Sequence, residues 1–236
     1  MTTGTGGMLA AELERLATDA GRRLEDAPAD EILRWAAQTF GDRFCVLSSM
    51  GDAVVASLAA KVMPGVDVVF LDTGYHFAET IGMRDAVAAV YDVNVVTATP
   101  AITVAEQDSA YGKDLFDRDP ERCCAIRKVA PMEAALVHYD SWATGVRRDE
   151  SPTRANTPVV LWDARRRKVK VNPIARWTQA QVDTYIAQNH ILVSPLIDDG
   201  YLSIGCWPCT EKVALGADAR SGRWAGKSKT ECGINT

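Results

Sequence analysis

Cys123 and Cys124 stand side by side in ERCCAIRK, and Cys206 and Cys209 enclose Trp207-Pro208 in SIGCWPC. Thiols so spaced can hold a metal, exchange disulfides or attack an electrophile. A bond within the adjacent pair is disfavoured, because consecutive Cα atoms lie about 3.8 Å apart and a disulfide wants roughly 4.4–6.8 Å. The two-residue gap of CWPC lets both sulfurs reach one metal or cluster face. A redox CxxC is the rival reading, but that motif normally follows the first strand of a thioredoxin-like unit, and CWPC comes late, in an irregular region. Together the two pairs supply four ligands, enough for a zinc site or a cubane iron-sulfur cluster. Neighbouring side chains on a helix diverge by about 100°, which suits a bulky cluster better than a single small ion.

Two thiols remain. Cys45 lies inside the apolar run FCVLSSM and reads as a small buried hydrophobe. Cys232 lies in KTECGINT, in a stretch where Arg220, Arg223, Lys227 and Lys229 outnumber Asp218 and Glu231. Nearby cations favour a thiolate and an anionic substrate, so Cys232 reads as a nucleophile; an incidental thiol in a frayed tail is the bland alternative. His76, His138 and His190 show no metal-ligand spacing, and Arg165-Arg166-Arg167-Lys168 reads as a solvated hairpin tip.

Composition narrows the classes. The 236 residues are 47% hydrophobic and 24% charged, with a net charge of -5, which argues against nucleic acid as the main partner. No apolar run approaches the roughly 18 residues of a membrane span, and the N-terminus lacks the basic and apolar regions of a signal peptide. A cytoplasmic protein is expected, and in that compartment clustered cysteines point to metal or catalysis before disulfides. The sequence is compatible with a monomer or a homo-oligomer.

The elements that position these residues follow from periodicity. Residues 9–24 and 30–40 carry helical spacing. Apolar runs at 44–50, 66–72 and 93–99 read as strands, separated by helices over 52–63 and 76–91. This alternation predicts an α/β fold, a wound and mostly parallel sheet with ligands at the carboxyl ends of its strands. Those ends carry Ser48-Ser49-Met50-Gly51-Asp52, Leu71-Asp72-Thr73-Gly74 and Thr144-Gly145-Val146-Arg147-Arg148. SSMGDA resembles a phosphate-binding turn at a helix start. Further on, VVLWDARRRKVKVNPI suggests two strands joined by a basic turn, and Thr178 with Gln181 fits a capping box opening a helix that runs to about Asn189. From Ala214 the chain loses apolar periodicity. The expected division is N-terminal helices over 1–42, a core domain over 43–213 and a mobile tail over 214–236.

ERCCAIRKV, SIGCWPC and the terminal KTECGI, with LDTGYHFAET and RSGRW, resemble the iron-sulfur-containing assimilatory adenylyl-sulfate (APS) reductases of the phosphoadenylyl-sulfate reductase family, above all actinobacterial members. The resemblance runs from about Phe44 to the end of the chain. It implies a nucleotide-binding sheet of the adenine nucleotide alpha-hydrolase type, a 4Fe-4S cluster on Cys123, Cys124, Cys206 and Cys209, and Cys232 as nucleophile. It also implies reduction of APS to sulfite and AMP through a cysteine S-sulfonate that thioredoxin resolves. Relatives preferring the 3'-phosphorylated substrate lack the four cluster cysteines, so their presence here implies APS. By motif position, Lys128, Arg154, Arg220 and Arg223 would bind the anionic groups, with Lys128 also linking cluster and substrate. Arg147, Arg148, Ser48 and Ser49 complete that set, and Leu71 and Asp72 would face the adenosine. One departure stands out: Asn235 occupies the position where the family usually ends in histidine. The rivals are an ATP-pyrophosphatase-type enzyme that thiolates a substrate such as tRNA, and a non-enzymatic zinc module. The first would want paired glycines that SSMGDA lacks, and the second leaves Cys232 unexplained.

Overall fold

The computed structural model describes residues 7–214 and 216–234; Asn235 lies outside them. Helices α1 (Ala10–Arg23) and α2 (Ala29–Phe40) lead into β1 (Phe44–Ser48), α3 (Val54–Val62), β2 (Val66–Leu71), α4 (Ala78–Val90) and β3 (Val93–Ala98). Next come α5 (Val104–Tyr111), α6 (Leu115–Arg118), α7 (Pro120–Cys124), a π-helical turn (Ala125–Val129) and α8 (Ala130–Leu136). The short β4 (Ser141–Ala143), the hairpin β5 (Val160–Asp163) and β6 (Lys168–Val171), and α9 (Gln179–Asn189) complete the regular elements.

The strands form one sheet in the order β3-β2-β1-β4-β6-β5. Every neighbouring pair is parallel except β5 with β6. This is the α/β arrangement that the alternation of strands and helices predicts. Central strands covered on both faces must be apolar throughout, and Phe44, Cys45, Val46, Val68, Val69 and Phe70 are all buried. Each large apolar side chain so buried contributes on the order of 1.5–3 kcal/mol. On the N-terminal side, α1 turns Leu13, Ala17 and Ala20 inward and α2 turns Ile32, Leu33 and Ala36 inward. Helical spacing predicts these stripes, and they join the main core.

Chain order reverses direction across the sheet between β1 and β4. Crossover connections leave a crevice at such a point, outside the carboxyl ends of the strands. From the stretch after Ala214, Arg220, Arg223, Trp224, Glu231, Cys232 and Ile234 line this crevice, and Trp224 and Cys232 are buried in one cluster with Cys124.

Candidate active site

The crevice is a cavity of about 270 Å³. Ser48 and Ser49 from the β1 end, Leu71 and Thr73 from the β2 end, and Thr144 and Gly145 from the β4 end form its floor. Lys128, Arg154, Arg220, Arg223 and Cys232 close it from the other side. Eight of the sequence-predicted residues therefore share one space: Ser48, Ser49, Leu71, Lys128, Arg154, Arg220, Arg223 and Cys232. The Ser48 hydroxyl accepts from the Met50 N–H at 3.2 Å and Asp52 accepts from the Val54 N–H at 2.9 Å, which fixes the SSMGDA turn at the start of α3.

A second, smaller cavity adjoins the first. Cys123, Cys124, Cys206 and Cys209 all line it, with Tyr75, Phe116 and Arg127. Asp119 caps α7 by accepting from the Arg122 N–H at 3.0 Å, and Pro120 stands in its first turn, so the adjacent cysteines sit on a short, well-started helix. CWPC reaches the same cavity from a loop pinned by the Trp207 N–H donating to the Tyr75 carbonyl at 2.8 Å. Burial, then the charge of the other thiols, pushes Cys123 up to about 12. Burial raises Cys124 to about 11, with Lys128 opposing. Cys209 is raised by burial and by Cys206. Among the described residues, no group of three or more Cys, His, Asp or Glu is drawn together closely enough for a single metal ion. The four thiols line one shared cavity.

Lys128 and Trp224 line both cavities. Burial opposes the charge on Lys128, yet Cys206 and Cys232 outweigh it and hold the amine up to about 12. The π-helical turn turns Arg127 and Lys128 inward together. Arg127 donates through Nε to the Thr73 carbonyl at 2.5 Å, and the Thr73 hydroxyl lies 3.3 Å from Cys206 Sγ. The loop after β2, the four-thiol cavity and Lys128 are thus tied to one another.

Residues 43–212 match the phosphoadenosine phosphosulfate reductase domain. The chain belongs to that family. It is 67% identical over 224 residues to the adenosine 5'-phosphosulfate reductase of Streptomyces coelicolor, covering 95% of each chain. With the enzyme of the same name from Mycolicibacterium smegmatis it shares 59% identity over the same share of both. Among solved structures, the phosphoadenylyl-sulfate reductase of Candida auris in a phosphate complex is similar at a TM-score of 0.71 and 25% identity, covering 89% of this chain and 100% of the other. The FMN adenylyltransferase of Candida glabrata shares the fold alone, at a TM-score of 0.54 and 13% identity over 86% of this chain and 74% of the other.

Three predicted residues of this reductase-family chain stand apart from the cavity wall. Arg147 donates to Asp149 at 2.7 Å and to Gln179 at 2.6 Å, joining the β4 loop to α9. Arg148 donates to Glu25 at 2.6 Å and to the Thr157 carbonyl at 2.8 Å, fastening the same loop to the end of α1. Asp72 accepts from the Gly74 N–H at 3.0 Å and shapes its own turn.

Sequence reasoning missed two carboxylates and a cation. Glu231 accepts from Nε and Nη2 of Arg154, at 2.8 and 2.9 Å, and lies 3.3 Å from Arg220. Glu150 accepts from Nη1 of Arg154, so three of the five guanidinium N–H donors are paired with carboxylates. The placement of Glu231 directly before Cys232 was the available signal. Arg166 is not a solvated tip: its side chain is 4% exposed, paired with Asp163 at 2.8 Å and donating to the Gly233 carbonyl at 3.0 Å.

Proposed function

We propose that the protein reduces adenylyl sulfate to sulfite and AMP, serving sulfate assimilation. The observation that carries this is Lys128, one buried amine facing both the four-thiol cavity and the cavity that holds Cys232. The high identity to relatives named adenosine 5'-phosphosulfate reductase supports APS as the substrate.

Adenosine would lie at the β2 loop, near Leu71, with the phosphosulfate toward Lys128, Arg154, Arg220 and Arg223. Cationic donors are what sulfate and phosphate oxygens need. The Cys232 thiolate attacks the sulfonyl sulfur; an S–S bond forms, the S–O bond to phosphate breaks, and AMP leaves with that oxygen. A dithiol reductant, thioredoxin in this reading, then attacks Cys232 Sγ, releasing sulfite and forming a mixed disulfide. Its second thiol frees Cys232, so the two electrons come from the dithiol.

Cys123, Cys124, Cys206 and Cys209 would hold a 4Fe-4S cluster. Four thiols lining one small cavity fit such a group. When bound, it supplies a compact charged body beside Lys128, and no change in its oxidation state is required. Six free cysteines suit a reducing cytoplasm, and no helix among the described residues is long and apolar enough to cross a membrane. The tRNA-thiolation alternative has no feature in its favour, because the SSMGDA turn lacks the paired glycines it would use.

Intact mass after mixing cluster-loaded protein with APS and no reductant tests the reading. A gain of one SO3 group, about 80 Da by composition, is expected, and Cys232→Ser should abolish it. Absence of the adduct in active protein would overturn the mechanism.

A further inference from the structure

The tail is clamped on each side of Cys232. On one side Glu231 binds Arg154 and Arg220 inside the cavity. On the other, the Gly233 carbonyl accepts from Arg166 Nη2 at 3.0 Å. Arg166 belongs to the β5–β6 turn and does not line the substrate cavity. Its own geometry is over-determined. Asp163 accepts its Nη1 at 2.8 Å and also accepts the Arg166 N–H at 3.1 Å, while the guanidinium carbon lies 5.8 Å from the centre of the buried Trp142 ring.

Gly233 is equally constrained. Its φ is +78°, a conformation that residues with a Cβ rarely adopt. A Cβ there would approach Val129 Cγ2 at 3.3 Å. Ile234 packs against the Trp142 cluster and against the Cys124–Trp224–Cys232 cluster. The peptide after Cys232 is therefore set between the π-helical turn that carries Lys128 and the hairpin that carries Arg166.

We infer that Arg166 is the positioning residue that docks the reactive cysteine, with the β5–β6 hairpin serving as its dock. It acts through the Gly233 carbonyl and touches neither substrate nor reacting atoms. A charge-assisted hydrogen bond to a carbonyl, held by a buried ion pair, fixes the tail far better than a solvated arginine would. This rests on the reading of Cys232 as nucleophile.

The test uses cluster-loaded full-length Arg166→Ala, Arg166→Lys and Gly233→Ala with two readouts. The first is single-turnover formation of the S-sulfonate as a function of APS concentration. The second is the rate at which iodoacetamide alkylates Cys232 without substrate, located by peptide mass. Arg166→Ala should lower the maximal rate at least about tenfold while half-saturation by APS moves less than about twofold. Alkylation should accelerate by a similar factor, and Arg166→Lys should restore part of both. Gly233→Ala attacks the same contact from the tail side and should reproduce both effects, so it decides the matter if Arg166→Ala fails to fold. Unchanged alkylation and formation rates, or a loss confined to APS affinity, would overturn the inference. If wild-type protein forms no adduct on Cys232, the functional reading fails instead, while the alkylation rates still report whether Arg166 holds the tail.

Discussion

Glu231 presents both carboxylate oxygens to Arg154, at 2.8 and 2.9 Å, so the residue before the reactive cysteine occupies a cation of the cavity wall. Burial by itself would raise the Glu231 carboxyl, but the hydrogen bond and charge of Arg154, with Arg220, hold it below its ordinary 4.5. A carboxyl lowered in the folded state adds stability that is full above its unfolded pKa and is lost as pH falls through the folded one. Docking of the tail should therefore stay constant from neutral pH down to about 4.5 and weaken only below that. A disulfide reagent that works in acid, such as 4,4'-dithiodipyridine, can follow Cys232. The ratio of the Glu231→Gln rate to the wild-type rate should be well above one and flat near neutrality. It should approach one in strong acid; a ratio near one at pH 7 would contradict the clamp.

Gly205 and Gly222 should respond differently to the same added methyl group. A Cβ on Gly205 would lie 2.3 Å from Arg223 Nη2 and 2.5 Å from its Cζ. The end of a long side chain can move away cheaply, so Gly205→Ala should fold normally but displace Arg223 from the cavity. APS half-saturation should rise about tenfold, the loss of one good charged contact. A Cβ on Gly222 would lie 2.2 Å from the Glu211 carbonyl oxygen. That backbone is tied by Glu211 N–H donating to the Gly222 carbonyl at 2.8 Å, so Gly222→Ala should loosen the whole tail. Limited proteolysis should cut near residues 211–230 faster in Gly222→Ala and not in Gly205→Ala.

The sequence was most readable where burial dictated residue type. The apolar runs at β1, β2 and β3 and the stripes of α1 and α2 needed only periodicity. Count and spacing single out the four thiols that line the second cavity. Arginines were harder, because charge alone does not distinguish a structural clamp from a substrate clamp. Arg147 and Arg148 follow a strand end, as a ligand residue would, yet they spend their donors on Asp149, Gln179 and Glu25. Arg166 failed the opposite way, since a run of four cations reads as solvated unless the carbonyl awaiting it is known. The helices between Val104 and Leu136 carry little periodic signal because they are short and α5 is weakly amphipathic, although Thr103 and Glu106 form a complete capping box before α5.

Thr178 offers a control remote from the chemistry. Its hydroxyl accepts from the Gln181 N–H at 3.3 Å, and the Gln181 side chain returns to the Thr178 N–H at 2.8 Å. Losing such a cap costs about 1 kcal/mol, which in a chain of this size lowers the melting temperature by roughly 2–4 °C. Thr178→Ala should show that shift in calorimetry with S-sulfonate formation unaltered. Loss of activity would mean that α9 supports the site through Arg147 and Gln179 more directly than its position suggests.

Lys128 is the sharpest test of the link between the two cavities. It is 8% exposed, and its amine stands among Cys124, Cys206 and Cys232 with Arg223 nearby. Lys128→Met keeps most of the aliphatic volume and removes the charge. If the amine stabilises charge developing on the sulfonyl oxygens, S-sulfonate formation should fall about a hundredfold or more, the usual loss for one preorganised donor. Cysteine ligation does not need the amine, so iron content and visible absorbance should persist. Lys128→Arg restores a charge in a larger, planar group and should recover only part of the rate. Loss of iron together with activity would assign Lys128 to holding the cluster. A rate within a few-fold of wild type, with iron retained, would remove it from the chemistry and leave Arg154, Arg220 and Arg223 to meet the phosphosulfate.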